Sequence, residues 1–344
     1  MKTSHVNIPV FIPHLGCPNM CVFCSQRAIS GVSSFEAEKA RDIIEEVLST
    51  TENSDAVREI AFFGGSFTGI DRELMIELLD IAEDYVKSGR VSGIRFSTRP
   101  DYIDDEIIEI LSHYTISAAE LGIQSFSDDV LTRSKRGHTA AQSKAAMTLL
   151  RQNGFSVVGQ MMIGLPGSTI EDEIMTAERI CACGASASRI YPTVVFRNTE
   201  LCGMAEIGEY TPLTVEEAVE RSAAVLDVFV KNGVECLRIG LCESENLHSD
   251  SLVHSGANHP ALGEEVYGEL YFRRLREQLE RYTTDELSGK TAVIEVPSGE
   301  ISKAVGQKKK NKLRILGNYP IRNIKFIENS RLARYNISLT IHDR

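Results

Sequence analysis

With 344 residues, of which 42% are hydrophobic and 25% charged, and a formal net charge of −11, the chain has the composition of a folded globular protein, which excludes a disordered polymer. The apolar run at its N-terminus ends at Pro13, too early for a signal peptide or a membrane span, so we expect a cytoplasmic protein with no membrane partner. Eight cysteines in a cytoplasmic chain of this size indicate metal binding and reduced core thiols rather than disulfides.

Short apolar runs alternate with longer amphipathic stretches through most of the chain. The apolar runs predict strands over residues 6–12, 59–63, 93–97, 117–123, 156–163, 188–195 and 234–241. The amphipathic stretches predict helices over residues 36–49, 72–88, 104–113, 140–153 and 169–182. A strand followed by a helix, repeated about six times, predicts a parallel sheet with helices outside, either open or closed into a barrel. Ligand sites in such sheets lie at the carboxyl ends of the strands.

The last third of the chain has a different pattern. Residues 214–232 and 259–282 predict helices that cover the end of the sheet, and residues 285–290 predict a hinge. The elements predicted beyond the hinge are a strand over 292–296, a helix over 298–305, a lysine-rich turn, and strands near 321–327 and 337–341. We therefore expect a main domain over residues 1–284 and a small α+β domain over residues 290–344.

The strongest chemical signal is the set Cys17, Cys21 and Cys24, spaced C-x3-C-x2-C on the loop after the first predicted strand. Three thiolates this close can bind three irons of a [4Fe-4S] cluster and leave the fourth iron open to a chelating substrate. Zinc is the alternative, but a closed zinc site needs four ligands, and no second C-x2-C or pair of histidines lies nearby. His14 is close enough in sequence to serve as the fourth ligand.

With Phe23 before the last cysteine, this loop resembles the defining loop of the radical S-adenosylmethionine (SAM) superfamily. The resemblance implies an α/β fold with a partial (β/α)6 parallel barrel, and a [4Fe-4S] cluster and SAM as cofactors. In that family SAM chelates the open iron, and one electron from a donor such as ferredoxin or flavodoxin splits it into methionine and a 5′-deoxyadenosyl radical. The protein then orients the reactants and excludes water.

The resemblance also implies a set of SAM-binding residues at the ends of the strands. Besides Phe23, they are Gly64, Gly65, Ser66, Ser97, Gln124, Arg136 and Gly164. In the family the paired glycines meet the amino group of SAM, the arginine pairs with its carboxylate, and the turn at the last glycine contacts adenine. Ser66 is a departure, because many members have a glutamate there. Without the resemblance, paired glycines more often form a plain turn, and Arg136 is equally consistent with a residue on a basic surface turn.

Within the superfamily, residues 11–275 resemble the radical SAM half of the catalytic subunit of Elongator, which modifies wobble uridines in transfer RNA. The shared phrases are Arg99-Pro100-Asp101, Glu120-Leu121-Gly122-Ile123-Gln124-Ser125, Arg136-Gly137-His138-Thr139 and Tyr191-Pro192-Thr193. This resemblance implies a base of RNA, in particular tRNA, as the substrate. That subunit has a longer spacing before its second cluster cysteine and carries an acetyltransferase domain. The residues after position 289 are too few for such a domain, so acetyl transfer is not expected.

Two alternatives remain open from the sequence. One is an enzyme similar to the oxygen-independent coproporphyrinogen oxidases, which share the Gln-Ser-Phe and Arg-x-His phrases and act on a tetrapyrrole. Such an anionic substrate needs arginines in the mouth of the barrel, whereas RNA needs a basic surface that extends away from it. The other alternative is a non-catalytic RNA-binding protein with a structural metal site, which would not need the polar residues at the strand ends.

The C-terminal segment is basic and the rest of the chain is acidic. Residues 290–344 hold 12 Lys and Arg against 4 Asp and Glu, which leaves 25 against 44 in the first 289 residues. This asymmetry indicates either a module that meets a polyanion or an ordinary solvated surface. Residues 301–311 resemble the helix-turn-helix of a KH domain, whose Gly-x-x-Gly loop clamps single-stranded RNA. Lys309 replaces the second glycine, and the RNA contacts are expected from Lys303, Lys308, Lys309 and Lys310.

The remaining cysteines and histidines carry weaker signals. Cys181, Cys183, Cys202, Cys236 and Cys242 stand apart from the C-x3-C-x2-C run, so we expect reduced thiols in the core and no second metal site. His254 and His259 flank a stretch similar to the substrate-side loop of the Elongator subunit. They either face the substrate or are solvated.

Overall fold

The computed structural model describes residues 5–12, 16–17, 21–24, 35–51, 56–241 and 252–343, so the candidate ligand His14 and the thiol of Cys242 lie outside the described residues. Its main sheet has seven parallel strands in the order β1-β2-β3-β4-β5-β6-β8 and curls into a half-barrel. The strands are β1 (His5–Phe11), β2 (Val57–Phe63), β3 (Gly93–Thr98), β4 (Ile116–Gln124), β5 (Val157–Ile163), β6 (Ala187–Pro192) and β8 (Glu235–Ile239). The predicted α/β partial barrel is confirmed.

Helices connect successive strands. They are α1 (Glu38–Thr51), α2 (Arg72–Lys87), α3 (Asp105–Leu111), α4 (Asp128–Arg133), α5 (Ala140–Gln152), α6 (Ile170–Ala182), α7 (Glu200–Glu206) and α8 (Val215–Lys231). All of them except the short helices α4 and α7 pack into the core on the outer face of the sheet. Three of them begin at a threonine that exchanges hydrogen bonds with the residue three positions later, which fixes where each helix starts. Among the described residues, no helix is both long and apolar enough to cross a membrane.

The predicted strand over residues 188–195 is two strands. β6 ends at Pro192, and β7 (Val194–Phe196) leaves the main sheet to pair antiparallel with β9 (Val253–Gly256). Pro192 has no N–H to donate to the ladder, which favours the end of pairing at this position. The two-stranded sheet β7–β9 therefore lies just beyond the carboxyl end of β6.

Alternation along the strands separates an apolar face from a polar one. On β3, Ile94 and Phe96 are fully buried against the helices, while Arg95 and Ser97 point to the inner face. The ring of Phe62 on β2 stacks on Phe67, with ring centroids 4.6 Å apart. The half-barrel therefore has an apolar outer core and a charged interior.

The C-terminal segment forms a three-stranded sheet, in the order β11-β10-β12, with helices on one side. Its elements, after the covering helix α9 (Leu262–Leu279), are α10 (Thr284–Leu287), β10 (Thr291–Val296), α11 (Ile301–Val305), α12 (Lys310–Asn318), β11 (Asn323–Glu328) and β12 (Ser338–His342). The predicted hinge instead contains α10, whose Leu287 is 2% exposed and belongs to an apolar core shared with the main sheet. The guanidinium of Arg314 also stacks on Phe272 of α9, 3.5 Å from the ring centroid.

Candidate active site

The three cysteines of the predicted cluster site lie beyond the carboxyl end of β1. Cys21 is buried, Cys17 and Cys24 are half-buried, and none of these three cysteines is in a disulfide in the described part of the chain. The backbone N–H of Cys24 donates to the carbonyl of Cys21 at 2.9 Å. Between them, the carbonyl of Val22 accepts a hydrogen bond from the N–H of Leu201 on α7, also at 2.9 Å. The cysteine loop is therefore fixed by main-chain contacts with a helix that follows β7.

Cys17 faces the connection between β2 and α2. Its Sγ lies 3.1 Å from the Oγ of the buried Ser66, one of the predicted SAM-binding residues. Gly16, just before it, has φ +84, and a Cβ there would lie 2.5 Å from the carbonyl carbon of Gly69. Because no side chain fits in that contact, a glycine at position 16 lets the cysteine loop approach the end of β2.

The paired glycines after β2 have a structural role in the chain itself. Gly64 has φ +104, and a Cβ there would lie 2.7 Å from the carbonyl oxygen of Ile12 and 2.8 Å from the ring of Phe11. The close neighbour of Gly64 is therefore the end of β1. The predicted contact of these glycines with SAM stays a prediction. Gly65 lines a small cavity with Ser66 beside this contact.

Arg136 reaches from the turn after α4 to the cysteine loop. It is buried, and its Nη1 lies 3.3 Å from the Sγ of Cys21 while its Nη2 donates to the carbonyl of Gly122 at 2.6 Å. A Cβ at Gly122 would lie 3.1 Å from this guanidinium. The sequence therefore places a fixed positive charge beside the second cysteine.

Two residues that the sequence analysis did not select lie at the same edge. Arg99, 2% exposed, makes two hydrogen bonds to Asp101, at 2.8 and 3.0 Å. Burial by itself lowers the pKa of Arg99, but Asp101 and the sulfurs of Cys21 and Cys17 raise it above its ordinary value. His138 is also buried, and this burial, with the charge of Arg136, lowers its pKa to about 3, so its imidazole is neutral at physiological pH.

Several buried polar side-chain atoms lack a hydrogen-bond partner among the described residues, and four of them belong to this set. They are Nε of Arg136, Nη1 of Arg99, Oε1 of Gln124 and Nδ1 of His138. Because buried polar atoms are nearly always bonded, such a set fits a polar ligand. Guanidinium donors suit a carboxylate, and an amide oxygen suits an ammonium group. SAM carries both groups on one carbon, so these residues fit it.

A second group of charged side chains fills the interior of the half-barrel below the cysteines. Glu120 on β4 is fully buried and accepts two hydrogen bonds from Arg189 on β6, at 2.7 and 2.9 Å. It also accepts from Arg95 at 3.2 Å and from Gln160 at 2.8 Å. Gln160 donates in turn to Ser97, a predicted SAM-binding residue, at 3.3 Å. The interior is thus a bonded polar network that links β3, β4, β5 and β6.

The network continues to the first two strands. Arg95 pairs with Glu59 at 2.9 Å, and Glu59 lies 2.6 Å from the ring nitrogen of His5. Burial by itself raises the pKa of Glu59, but a hydrogen bond from Ser117 and the charge of Arg95 hold it below its ordinary value. The carboxylate of Glu59 is therefore ionised and paired with Arg95, and the network extends from β1 to β6.

The last two predicted SAM contacts are already engaged in the chain. The N–H of Gly164 donates to Glu173 at 2.7 Å, and its carbonyl accepts from the hydroxyl of Tyr210 at 2.7 Å. Phe23 is half-buried in an apolar cluster that includes Leu201. A carbonyl oxygen can accept a second hydrogen bond, so the predicted contact between Gly164 and adenine stays a prediction.

Three of the four predicted RNA-binding lysines lie together on the turn between α11 and α12. Lys308 and Lys309 are exposed and have φ values of 49 and 65, in the left-handed region. Lys310 begins α12 and lies 3.2 Å from Glu265. The turn therefore presents two lysines to solvent on a backbone conformation that non-glycine residues adopt infrequently.

The fourth lysine lies inside the C-terminal unit. Lys303 pairs with Glu300 at 2.8 Å, and its ammonium lies 5.2 Å from the ring centroid of Tyr267. Arg334 also lies over this ring, 5.7 Å from its centroid. The charge of Lys303 is thus used in internal contacts that the sequence did not reveal.

Two models of known protein families match this chain. A family model described as the radical SAM superfamily matches residues 11–180, and a model for the Radical_SAM C-terminal domain matches residues 185–271. An uncharacterized protein of Methanocaldococcus jannaschii is 30% identical over 223 residues, which cover 62% of this chain and 68% of that protein. The chain belongs to the radical SAM superfamily. Members of this superfamily are enzymes that use a [4Fe-4S] cluster and SAM, as the sequence analysis predicted.

Other relatives include a protein whose name refers to tRNA and proteins named for Elongator. A tRNA uridine(34) acetyltransferase of M. jannaschii is 32% identical over 158 residues, covering 45% of this chain and 29% of that protein. Elongator complex protein 3 of Schizosaccharomyces pombe is 28% identical, covering 62% of this chain and 47% of that protein. The solved structure of Methanocaldococcus infernus Elp3 superposes with a TM-score of 0.62 at 21% identity, covering 79% of this chain and 64% of that one. The chain is thus homologous to the radical SAM region of Elongator protein 3, and it spans less than two thirds of these three proteins.

Proposed function

We propose that this radical SAM enzyme directs its chemistry at a base of transfer RNA. Cys17, Cys21 and Cys24 would hold the [4Fe-4S] cluster, since they follow the end of β1 with the C-x3-C-x2-C spacing of the family. When bound and reduced, the cluster supplies the electron that splits SAM into methionine and a 5′-deoxyadenosyl radical. The chain's own residues bind the cofactor, orient it and shield it from water.

The buried edge beside the cysteines would bind the amino-acid part of SAM. Arg136 and Arg99 each have an N–H without a partner among the described residues, and both suit the carboxylate. Gln124 would offer its amide oxygen to the amino group, and the turn of Gly64, Gly65 and Ser66 is proposed as a second contact of that group. Further contacts to the nucleoside part are proposed for three more residues, Phe23, Ser97 and Gly164.

The RNA substrate is supported above all by the exposed turn of Lys308 and Lys309. It lies in the basic segment after residue 289, attached to an otherwise acidic body, and lysines in such a position contact phosphates. The name of the uridine(34) acetyltransferase, which refers to tRNA, agrees with this class of substrate. The KH-like clamp remains part of the proposal, with the lysines in place of the second glycine.

The interior of the barrel does not favour the tetrapyrrole alternative. An anionic tetrapyrrole requires arginines that can pair with its carboxylates. Arg95 and Arg189 already pair with Glu59 and Glu120 at distances of 2.7–3.2 Å. A substrate carboxylate would have to displace a buried carboxylate of the protein, which is costly.

We further propose a cytoplasmic enzyme that receives its electron from a ferredoxin or flavodoxin. The seven cysteines in the described part of the chain form no disulfide with one another, which agrees with a reducing compartment. The acidic body suggests that a donor would dock at a basic patch or through apolar contacts, because most small electron carriers are acidic as well.

The experiment that tests the substrate is anaerobic reconstitution with iron and sulfide, followed by dithionite and SAM, with 5′-deoxyadenosine measured with and without bulk tRNA. We expect tRNA to raise deoxyadenosine formation. A double variant, Lys308→Ala with Lys309→Ala, should require severalfold more tRNA for the same stimulation. The matched control is Lys39→Ala with Lys87→Ala, which removes the same charge from exposed positions on α1 and α2.

Salt dependence gives an independent readout of the same turn. If both lysines contact phosphates of a single strand, their loss lowers the slope of log affinity against log salt by about 1.4. Deoxyadenosine formation that tRNA leaves unchanged would reject the RNA substrate and keep the radical SAM chemistry. Equal tRNA requirements in the two double variants would reject the lysine turn as the contact.

A further inference from the structure

A second set of metal-ligating side chains lies beside the cysteine loop, in a place where the sequence analysis expected no metal. Cys202 and Glu206 are one helical turn apart on α7, and His254 lies on β9. One donor atom from each residue, a sulfur, a carboxylate oxygen and a ring nitrogen, lies within 4.8 Å of the other two. Within the described ranges, no other group of three such residues is this close. The set combines three different donor types and is more specific than an acidic cluster.

We propose that Cys202, Glu206 and His254 form a zinc site. Thiolate, imidazole and carboxylate are the three side-chain ligands of protein-bound Zn²⁺, and three protein ligands leave one position for water. Ligand distances of about 2.0–2.3 Å place the donors of a tetrahedral zinc about 3.3–3.8 Å apart. The Sγ of Cys202 is already 3.7 Å from Oε1 of Glu206. Closing the site therefore requires a shift of at most about 1.5 Å from the histidine side.

Local contacts hold the ligands in place. The N–H of Cys202 donates to the hydroxyl of Thr199, the N-cap of α7, at 3.2 Å, so the cysteine is fixed in the first turn of the helix. The Oγ of Ser255 lies 2.8 Å from Nδ1 of His254 and can accept its proton. That hydrogen bond selects the tautomer whose Nε2 carries a lone pair, as outer-sphere partners of zinc-binding histidines commonly do.

The surroundings also fit a metal that is largely closed to solvent. Cys202 is 6% exposed and lies in an apolar cluster with Val22, Val195 and Tyr210. An apolar shell excludes competing water and strengthens charged ligand–metal contacts. Glu206 is exposed, so the metal has an entry path from the surface.

Zinc binding would connect two structural elements beside the cysteine loop. It would join β9 to α7, and α7 in turn holds the cysteine loop through the hydrogen bond from Leu201 to Val22 at 2.9 Å. A salt bridge between Lys135 and Glu200, with a 2.7 Å hydrogen bond, ties the same helix to the turn before Arg136. Bound zinc, with a water molecule as its fourth ligand, would fasten the β7–β9 sheet to the wall beside the cluster.

The test uses reconstituted holoprotein equilibrated with a zinc buffer of defined free concentration, with zinc and iron counted by mass spectrometry. We expect one zinc per chain in the wild type. The Cys202→Ser and His254→Gln variants should lose it, and Cys236→Ser, a matched control at a half-buried thiol elsewhere, should keep it. Iron content should be equal in all four, which separates this site from the cluster.

Because Cys202→Ser can disturb packing, the surface ligand provides a second arm. Glu206→Gln should weaken zinc affinity at least tenfold, and free zinc should raise the thermal midpoint of the wild type more than that of this variant. Zinc absent from the wild type, or retained equally by Cys202→Ser and His254→Gln, would overturn the proposal. Neither readout depends on SAM cleavage or on RNA, so this outcome is separate from the fate of the proposed function.

Discussion

Replacing Glu120 with glutamine tests the charged interior of the half-barrel. The carboxylate is fully buried and accepts four hydrogen bonds, two from Arg189, one from Arg95 and one from Gln160. Glutamine keeps the shape but removes the charge that balances Arg189, whereas Arg95 keeps Glu59 as its partner. Removing one member of a buried ion pair costs about 3–5 kcal/mol, because the other charge stays buried.

The expected shift in thermal stability follows from the size of the chain. The entropy of unfolding is about 2.1 cal/mol/K per residue, which for 344 residues gives about 0.7 kcal/mol for each degree. A loss of about 3–5 kcal/mol therefore lowers the melting temperature by about 4–7 °C. Scanning calorimetry on Glu120→Gln and on Glu46→Gln, an exposed change on α1, measures this difference.

The control variant should melt within about 1 °C of the wild type, because surface substitutions usually change stability by less than about 0.5 kcal/mol. A melting temperature for Glu120→Gln that matches the control would show that the network does not depend on its central charge. The stability of the half-barrel would then not depend on the buried negative charge at position 120.

Two further substitutions at the cysteine edge have expected outcomes. Arg136→Lys loses the guanidinium that reaches both Cys21 and Gly122, so it should raise the Kd of SAM about 10- to 150-fold, the equivalent of one charge-assisted hydrogen bond. Equilibrium dialysis of the reconstituted protein measures this Kd, and the control Arg133→Lys, on the exposed face of α4, should leave it unchanged. Equal affinities of the two variants would remove Arg136 from the SAM site. Burial lowers the pKa of His138 from about 6.5 to about 3. Between pH 6.5 and pH 3 the unfolded chain therefore binds a proton at this residue that the folded chain does not, so stability falls as the pH falls. From pH 7 to pH 5 this effect is worth about 2 kcal/mol, and urea unfolding of His138→Gln should show a pH-dependent loss smaller by that amount; an unchanged loss would contradict the buried neutral imidazole.

Local sequence patterns were sufficient for the sheet and for the cysteine loop. The seven strands followed from apolar runs of strand length, and the helices between them followed from amphipathic stretches. The spacing of Cys17, Cys21 and Cys24 indicated the cluster because the chemistry depends on residues close in sequence.

Long-range contacts were beyond such patterns. Arg136 and Cys21 are 115 residues apart, and only the packing of the turn after α4 against the cysteine loop brings them together. Arg99 and His138 lay within phrases that the sequence analysis had quoted, but a buried position with an unpartnered polar atom is visible only in the structure. Strand ends rich in polar residues were the one signal that could have selected them.

The structure differs from the sequence predictions at two places, and local geometry explains both. Residues 188–195 are apolar enough for one strand, but Pro192 ends the ladder and β7 pairs elsewhere. Residues 285–290 are polar enough for a hinge, but Thr283 and Glu286 form a capping box that starts α10 and directs Leu287 into the core.

The most direct test of the central claim compares Cys21→Ala with Cys181→Ala after anaerobic reconstitution. Cys181 is a half-buried free thiol on α6, away from the cysteine loop, so it controls for the loss of a cysteine. We predict that the wild type and Cys181→Ala form 5′-deoxyadenosine from SAM with dithionite, and that Cys21→Ala forms neither an intact cluster nor deoxyadenosine. Normal deoxyadenosine formation by Cys21→Ala, or none by the reconstituted wild type, would contradict the assignment of these three cysteines.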